Sequence, residues 1–268
     1  MTVERFLKLI NGNKWTFAKS MPENPHWYSL RDTWKSDSDF VQFVLFIREN
    51  GYKERFWRKE FIYFNVNGYK YWTMGCPTHN CSKTGTILIN RAKIKYKTKY
   101  DEIADVYDKL FIDEDSKKEN QKIMEMINPQ GSVLDIGCGT GLFLDYFPDY
   151  ERYLGIDISD RMIRMLKEKH PDSEAINTSL NDFYSLEKYD TIIGLFGVGS
   201  YLTKDEINKI YSLVSDNGKI FIMHYKPEYY PETYKKTGIE CKRYIHEQNG
   251  LKKIEFNNYL IYTNENIS

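Results

Sequence analysis

A glycine-rich segment, Val133-Leu134-Asp135-Ile136-Gly137-Cys138-Gly139-Thr140-Gly141, lies near the middle of this chain of 268 residues. An apolar strand runs directly into three glycines at alternate positions, and the following Leu142-Phe143-Leu144 has the pattern of a helix. Glycines let the chain turn tightly and bring backbone N–H groups against a ligand at a helix N-terminus. The segment therefore predicts a strand, a ligand-binding turn and a helix, in that order.

The residues around the glycines indicate what kind of ligand the turn binds. A dinucleotide fingerprint needs G-x-G-x-x-G, and here Leu142 stands where the last glycine belongs. A phosphate-binding loop needs Gly-Lys-Ser/Thr, which does not follow. Asp135, two residues before the first glycine, would repel a pyrophosphate. The same carboxylate suits a ligand that bears an ammonium group.

From about Tyr100 onward, strand and helix patterns alternate along the chain. Strands that are apolar nearly throughout and joined through helices argue for a parallel sheet covered on both faces. We therefore predict a doubly wound α/β domain with its ligand site at the carboxyl ends of the strands. Asn249-Gly250 further predicts an antiparallel hairpin at the edge of the sheet, between residues 242–246 and 251–263. The predicted strands are 132–136, 152–157, 174–177, 190–196 and 219–225, and the predicted helices include 161–170 and 204–214.

The segment Asp135–Gly141 resembles motif I of the class I S-adenosylmethionine-dependent methyltransferases, and the similarity extends over about residues 96–225. Residues 100–108 resemble the helix before the first strand of many such enzymes, with a tyrosine near the methionine end of the cofactor. Gly155-Ile156-Asp157-Ile158-Ser159 resembles the end of the second strand, where an acidic residue binds both ribose hydroxyls. The resemblance implies that Asp157 has this role, for which a carboxylate is suited because it accepts two hydrogen bonds.

The resemblance also shows where this chain departs from the family. After the third strand, Ser179 stands where many relatives carry an acidic residue that meets the adenine amino group. After the fourth strand, Leu195-Phe196-Gly197-Val198 replaces the Asn/Asp-Pro-Pro-Tyr/Phe motif of the DNA amino-methyltransferases, which disfavours methylation of adenine N6 or cytosine N4. No Pro-Cys motif is present for the covalent C5 route. The cofactor-binding residues that the resemblance implies are Tyr100, Tyr107, Asp135, Gly137, Cys138, Gly139, Gly141, Asp157, Ile158, Ser179, Leu180 and Phe196.

The net charge of zero hides an asymmetry between the two parts of the chain. Residues 1–100 hold 18 of the 38 Lys and Arg but 8 of the 38 Asp and Glu, so the chain carries +10 followed by −10. All five tryptophans also lie in the first hundred residues. We therefore predict two domains, a smaller basic, aromatic-rich α+β module over residues 1–95 and the methyltransferase domain over residues 96–268.

The composition of residues 1–95 has two interpretations. Positive charge mixed with exposed aromatic residues is typical of surfaces that bind nucleic acid, which would make this module a substrate-recognition domain. Alternatively, the aromatics form the core of a small domain and the lysines keep it soluble. The methyl acceptor is accordingly open, with a nucleic acid and a small molecule both under consideration.

Local patterns predict parts of the first module. Residues 39–50 have helical spacing, and Gly51 is expected to end the helix in a left-handed conformation. Asn67-Gly68 predicts a hairpin between residues 61–66 and 69–74, and residues 86–89 predict a third strand. The segment 76–81 offers two cysteines and one histidine, but a structural zinc site needs four ligands, so we expect no metal.

Methyl transfer from a sulfonium needs alignment, desolvation and, for some acceptors, removal of a proton. Tyr201, His224 and Tyr225 lie at or after strand ends, and His224 could act as a base near neutral pH. A histidine with no catalytic task explains the position equally well, so the catalytic residues stay unassigned. The alternative function is a non-catalytic regulatory protein that has a methyltransferase fold and binds the cofactor or nucleic acid.

Two observations bear on the location of the protein. No apolar run approaches the roughly eighteen residues that a membrane span requires. The first ten residues contain Glu4, Arg5 and Lys8, which interrupt the apolar stretch that a secretory signal needs. We therefore expect a cytoplasmic protein without a membrane partner.

Overall fold

The computed structural model describes residues 4–5, 7–8, 27–29, 46–47, 49–56, 59–74, 88–111, 113–229, 238–239 and 250–264. The chain divides into two compact units. The first comprises residues 1–94 and 182–186, and the second comprises residues 95–181 and 187–268. A division at residue 95 alone, as predicted from composition, would have assigned residues 182–186 to the second domain.

The first unit contains an antiparallel five-stranded sheet with the order β1-β5-β4-β3-β2. Its turn at Asn67-Gly68 has φ values of 46° and 80°, so both positions have the positive φ that the hairpin prediction required. The prediction of this hairpin is therefore confirmed. The strands are β1 (Trp27–Ser29), β2 (Tyr52–Phe56), β3 (Lys59–Val66), β4 (Tyr69–Met74) and β5 (Leu88–Lys93).

The same turn explains why residues 182–186 group with the first unit. The Asn67 backbone N–H donates to the Asp182 carbonyl at 2.8 Å. The Asn67 side chain donates to the Tyr184 carbonyl at 2.9 Å and accepts from the Tyr184 N–H at 2.7 Å. An asparagine side chain can donate and accept at once, so Asn67 binds both backbone groups of Tyr184.

Other expectations for the first unit need correction or lie outside the described residues. Gly51 is not among the described residues with positive φ. It is glycine because a Cβ there would lie 2.4 Å from the carbonyl oxygens of both Ile47 and Tyr63. The third predicted strand corresponds to β5, which continues past the predicted end at residue 89 to Lys93, and residues 86–87 are outside the described part of the chain. Most of the predicted helix 39–50 and the whole segment 76–81 are outside the described residues, among which no His, Cys, Asp and Glu cluster could hold a metal.

The second unit has seven strands and five α-helices among its described residues. The strands are β6 (Ser132–Ile136), β7 (Arg152–Asp157), β8 (Glu174–Asn177), β9 (Tyr189–Gly194), β10 (Val214–Tyr225), β11 (Lys252–Phe256) and β12 (Tyr259–Thr263). The helices are α1 (Tyr100–Tyr107), α2 (Glu114–Ile127), α3 (Leu142–Tyr146), α4 (Asp160–Lys169) and α5 (Lys204–Leu213), with 3₁₀ turns at Asp108–Phe111 and Val198–Tyr201.

These strands form one mainly parallel sheet with the order β11-β12-β10-β9-β6-β7-β8. Strands β6 to β10 pair in parallel, whereas β12 pairs antiparallel with both β10 and β11. The predicted doubly wound α/β fold is confirmed. Strands β7 and β8 extend the sheet to one side of β6, and β9 and β10 extend it to the other. The carboxyl ends of β6 and β9 therefore flank a topological switch point, where such sheets bind ligands.

The hairpin at the sheet edge differs from the prediction. Strands β11 and β12 are joined at Asn257-Asn258, and Asn257 has a φ of 47°. Asparagine tolerates this left-handed conformation, so the turn divides what was predicted as one strand over residues 251–263. Gly250, with a φ of 86°, precedes β11, whereas Asn249 and residues 242–246 are outside the described part of the chain, so the predicted Asn249-Gly250 turn stays a prediction.

Helix caps and a buried core support the sheet. Ser159 accepts from the Met162 N–H at 3.1 Å, and Thr203 and Glu206 form a capping box at the start of α5. Buried apolar residues of α2 and α4 join the core together with the strand residues Val133 and Ile193. None of the helices among the described residues combines the length and the apolar character that a bilayer-spanning segment needs.

Candidate functional site

A cavity of about 270 Å³ lies in the second unit at the carboxyl ends of β6, β7, β8 and β9. Residues from the turn after each of these four strands line it, and α1 adds Tyr100 and Tyr107. The carboxyl ends of neighbouring parallel strands share one edge of the sheet, so these turns meet there. This position is the one predicted from the doubly wound fold.

Eleven of the twelve residues predicted to bind a cofactor line this cavity. Gly141 does not: it has a φ of 88° as the N-cap of α3, and a Cβ there would lie 3.0 Å from His170 Cδ2. Its glycine is explained by backbone conformation and close packing. The eleven that line the cavity are Tyr100, Tyr107, Asp135, Gly137, Cys138, Gly139, Asp157, Ile158, Ser179, Leu180 and Phe196. Their contacts with a ligand stay a prediction.

The glycine turn after β6 has the conformation that its sequence requires. Gly137 and Gly139 have φ values of 70° and 53°, in the left-handed region that favours glycine. A Cβ on Gly137 would lie 2.7 Å from Val198 Cγ2, whereas a Cβ on Gly139 would meet no atom within 4 Å. Gly139 therefore places bare backbone against open space in the cavity. A side chain at this position would fill space that a ligand can use.

Asp135 lies near the end of β6 and is buried, with 3% of its surface exposed. The Tyr153 hydroxyl donates a hydrogen bond to Asp135 Oδ2 at 3.0 Å. Burial raises the pKa of Asp135 from 3.8 to about 7; the Tyr153 hydrogen bond opposes this rise, and the charge of Asp157 adds to it. A buried carboxylate is stabilised by a nearby cation, so this position favours a positively charged ligand group.

Asp157, at the end of β7, is fixed by two backbone hydrogen bonds. The Gly139 N–H donates to its Oδ2 at 3.0 Å, and the Ser159 N–H donates to its Oδ1 at 2.7 Å. Burial raises the pKa of Asp157 to about 6, against the lowering effect of these two bonds, and the charge of Asp101 adds to the rise. A carboxylate has about four acceptor positions. Asp157 can therefore accept further hydrogen bonds from a ligand that carries two neighbouring hydroxyls.

Helix α1 presents two tyrosines to the cavity. The rings of Tyr100 and Tyr107 have centroids 6.2 Å apart and meet edge to face. The Tyr100 and Tyr201 hydroxyls lie 3.3 Å apart. Burial raises the pKa of Tyr107 well above its ordinary value, so its hydroxyl stays protonated. The two tyrosines therefore share one face of the helix, as their spacing of seven residues predicted.

Helix α1 is fastened to the start of α4 by Asp101. Its Oδ1 accepts from the Ser159 hydroxyl at 2.7 Å, and its carbonyl accepts from Arg161 Nη1 at 3.1 Å. Arg161 also forms an ion pair with Asp105, one turn further along α1. These contacts determine where the two tyrosines of α1 lie relative to the turn after β7.

The turn after β9 has an unusual backbone. Phe196 has a φ of 48° and Gly197 a φ of 85°. A positive φ is rare for a bulky residue, and such conformations concentrate at functional sites. Phe196 lines the cavity, and its ring packs edge to face against Tyr259, with centroids 6.4 Å apart. A Cβ on Gly197 would lie 2.0 Å from Tyr225 Cε2, so glycine is required there by space as well.

The structure separates the residues that were considered for proton transfer. His224 is fully buried and does not line the cavity, and its ring packs against Tyr262 at 5.0 Å. A base role for His224 is therefore not supported by its position. Tyr201 lines the cavity, whereas Tyr225 packs against Tyr229 and Tyr259.

Glu206 lines the cavity, although it was not among the predicted site residues. The spacing of Thr203 and Glu206 is a capping-box signal, which marks the start of a helix. A capping box does not indicate whether the start of the helix borders a cavity.

Comparison with known proteins agrees with this arrangement. Residues 134–220 match the family model of a methyltransferase domain. The matched segment covers less than half of the chain. It runs from β6 into β10 and so contains the glycine turn, Asp135, Asp157 and the turns after β8 and β9.

Two curated methyltransferases are similar to part of this chain. The dTDP-3-amino-3,4,6-trideoxy-alpha-D-glucopyranose N,N-dimethyltransferase of Streptomyces venezuelae is 25% identical over 142 residues, which are 49% of this chain and 59% of that protein. A malonyl-(acyl-carrier protein) O-methyltransferase of Ilyobacter polytropus is 37% identical over 102 residues, or 34% of this chain and 37% of that protein. The chain thus spans less than two thirds of the length of either relative.

Among solved structures, the N-methyltransferase NodS from Bradyrhizobium japonicum, crystallised with S-adenosyl-L-homocysteine, aligns with 58% of this chain and 89% of its own. The sequence identity is 15% and the TM-score is 0.44.

Proposed function

We propose that this protein is an S-adenosylmethionine-dependent methyltransferase. The observation that carries the proposal is the placement of Asp135 and Asp157 at the ends of the adjacent strands β6 and β7, on the wall of one cavity. The glycine turn between them exposes the backbone of Gly139 to the same space. The family match of residues 134–220 supports the proposal.

The order of the strands indicates which residues would bind each part of this cofactor. Asp135 on β6 receives the ammonium group, because it is buried and would be stabilised by a cation. Asp157 on the neighbouring strand β7 accepts from the ribose hydroxyls. The residues after β8, Thr178–Leu180, then border the base. The amino-acid, sugar and base portions would follow the order β6, β7, β8 along the edge of the sheet.

S-adenosylmethionine, when bound, supplies an activated methyl group. The contribution of this chain to catalysis is to orient the reactants and to exclude water. The rings of Tyr100, Tyr107 and Phe196 line the cavity and cover it with apolar surface. Favourable orientation alone can lower a barrier by roughly 7–11 kcal/mol in ideal intramolecular cases. The proposal therefore does not depend on a general base, and no catalytic residue is assigned.

Two classes of methyl acceptor are proposed, a small molecule and a nucleic acid. The names of the relatives refer to an amino-sugar nucleotide and to malonyl-acyl-carrier protein, so they point to different acceptors. The aliphatic and aromatic side chains of the turn after β9 favour a small molecule as the methyl acceptor. A nucleic acid held through residues 1–95, and the cytoplasmic location, stay predictions from composition.

Calorimetry with the purified chain tests the cofactor assignment. We expect saturable binding of S-adenosylmethionine and of S-adenosylhomocysteine. If neither compound produced a heat of binding or raised the melting temperature, the cofactor assignment would be wrong. Transfer of a radiolabelled methyl group to a cell extract, followed by separation of nucleic acid, protein and small molecules, then identifies the acceptor class. Binding without any transfer would favour the regulatory alternative.

A further inference from the structure

Glu206 is a third carboxylate on the cavity wall, and neither the resemblance nor the proposed contacts of Asp135 and Asp157 assign it a role. It lies in the first turn of α5 and is half-buried. Its Oε2 accepts from the Thr203 N–H and from the Thr203 hydroxyl, each at 2.9 Å. Its Oε1 accepts no hydrogen bond from the residues that the structure describes. The cap thus holds one oxygen and leaves the other for a ligand.

The neighbours of α5 show which end of the cavity Glu206 borders. Lys209 Nζ, one turn further along α5, donates to the Asn181 carbonyl at 2.7 Å. Residues three apart on a helix share a face, so Glu206 lies on the side of α5 that borders the segment after β8. Ser179 and Leu180, immediately before Asn181, also line the cavity. Glu206 therefore borders the cavity near the segment that follows β8.

We propose that Glu206 accepts a hydrogen bond from the exocyclic amino group of adenine, and this inference rests on the proposed function. In the proposed function, the base lies at the β8 end. The amino group of adenine is a donor with two hydrogens, and a carboxylate is the strongest acceptor that a side chain offers. Ser179 provides only a neutral hydroxyl at this end. Glu206, from a different element, supplies the negative charge there.

A ligand that lacks the amino group provides the test. S-inosylhomocysteine differs from S-adenosylhomocysteine in carrying a carbonyl oxygen where adenine carries the amino group. We expect the unmodified protein to bind the adenosyl compound about tenfold or more tightly, because the carbonyl oxygen faces a carboxylate and leaves it unpaired. Calorimetry measures both affinities under the same conditions.

Glu206→Gln is the decisive variant, because glutamine also serves in a capping box and so preserves the start of α5. With its oxygen held by Thr203, its amide group would face the ligand and donate to the carbonyl of the inosyl compound. We expect the preference for the adenosyl compound to fall to within about threefold or to reverse. An unchanged preference in Glu206→Gln, or an equal loss of affinity for both ligands, would overturn the assignment.

Thr203→Ala is the matched control. It removes the helix cap but keeps the carboxylate, so we expect a lower melting temperature with the preference for the adenosyl compound retained. Loss of the preference in Thr203→Ala with full retention in Glu206→Gln would contradict the proposal. If the unmodified protein bound neither compound, the proposed function itself would fail. If it bound both equally, only the role of Glu206 would fail.

Discussion

The Tyr153 hydroxyl lies 3.0 Å from Asp135 Oδ2 and donates a hydrogen bond to it within the core. The two residues lie on the neighbouring strands β7 and β6, where Tyr153 pairs with Val133 and Asp135 with Gly155. Burial favours the neutral carboxyl, whereas this hydrogen bond favours the carboxylate. Tyr153 thus helps to keep Asp135 able to ionise near neutral pH.

The first prediction concerns the replacement Tyr153→Phe. Without the hydroxyl, the pKa of Asp135 should rise further above its ordinary value. If the ammonium group of S-adenosylhomocysteine binds the ionised form, the pH at which binding is half-maximal should move upward. Calorimetry between pH 5.5 and 9 measures this shift. Tyr150→Phe, which alters a neighbouring ring 5.5 Å from that of Tyr153, is the control and should leave the profile unchanged.

The second prediction concerns Asp135→Asn and the stability of the ligand-free protein. The pKa of Asp135 is about 7 in the fold against an ordinary value of 3.8, so the folded state binds more protons between these values. Its contribution to stability is therefore fully present below about pH 4 and is lost as the pH rises through about 7. Asparagine stays neutral and can still accept from Tyr153.

We expect Asp135→Asn to raise the free energy of unfolding at pH 8 by about 1–3 kcal/mol, with little effect at pH 4. The same variant should bind S-adenosylhomocysteine at least about tenfold more weakly, because the charge that attracts the ammonium group is lost. Urea denaturation at both pH values checks the stability. Equal effects at pH 4 and pH 8 would show that Asp135 is not titrating in the folded protein.

The third prediction concerns the open backbone at Gly139. Gly139→Ala should fold with a loss of about 1 kcal/mol from the left-handed φ and should fail to bind the cofactor, because the new methyl group occupies the cavity. Gly250→Ala is the matched control, since Gly250 has a φ of 86° and a Cβ there also meets nothing within 4 Å. Gly250 does not line the cavity. Normal cofactor binding by Gly139→Ala would show that no ligand approaches this turn.

The fourth prediction concerns Asp157. Asp157→Ala should weaken binding of S-adenosylhomocysteine by about 1–3 kcal/mol through loss of charge-assisted hydrogen bonds to the ribose. It also leaves the N–H groups of Gly139 and Ser159 without their acceptor. A 2′-deoxy analogue of S-adenosylhomocysteine separates these two effects. If the lost contact is to the 2′-hydroxyl, the analogue should bind about equally to the variant and to the unmodified protein. Unchanged affinity in calorimetry would exclude Asp157 from the site.

The fifth prediction concerns the attachment of α1. Arg161→Ala removes the hydrogen bond to the Asp101 carbonyl and the ion pair with Asp105. Because α1 carries Tyr100 and Tyr107, we expect roughly three- to tenfold weaker binding of S-adenosylhomocysteine and faster hydrogen exchange over residues 100–107. Arg164→Ala, which loses a pair with Asp160 within α4 itself, is the control. Faster exchange with unchanged affinity would show that α1 does not contribute to binding.

Local patterns predicted much of the second unit correctly. The bounds of β6, β7 and β8 agree with the sequence analysis, because their apolar runs and the flanking turn residues are contiguous in the chain. Strand β9 was predicted to reach Phe196 but ends at Gly194. The reason is the left-handed backbone of Phe196, which no residue preference indicates for a bulky aromatic side chain.

The glycine turn, the two carboxylates beside it and the alternation of strands and helices could all be predicted from the sequence. These are local properties, since strand period, turn chemistry and motif spacing act within a few residues. Three features could not be predicted in this way: Glu206 borders the cavity, His224 does not, and residues 182–186 group with the first unit. Each of these features depends on packing between segments that are far apart in the chain. The spacing of side chains along one helix or strand does not indicate which distant segment packs against it.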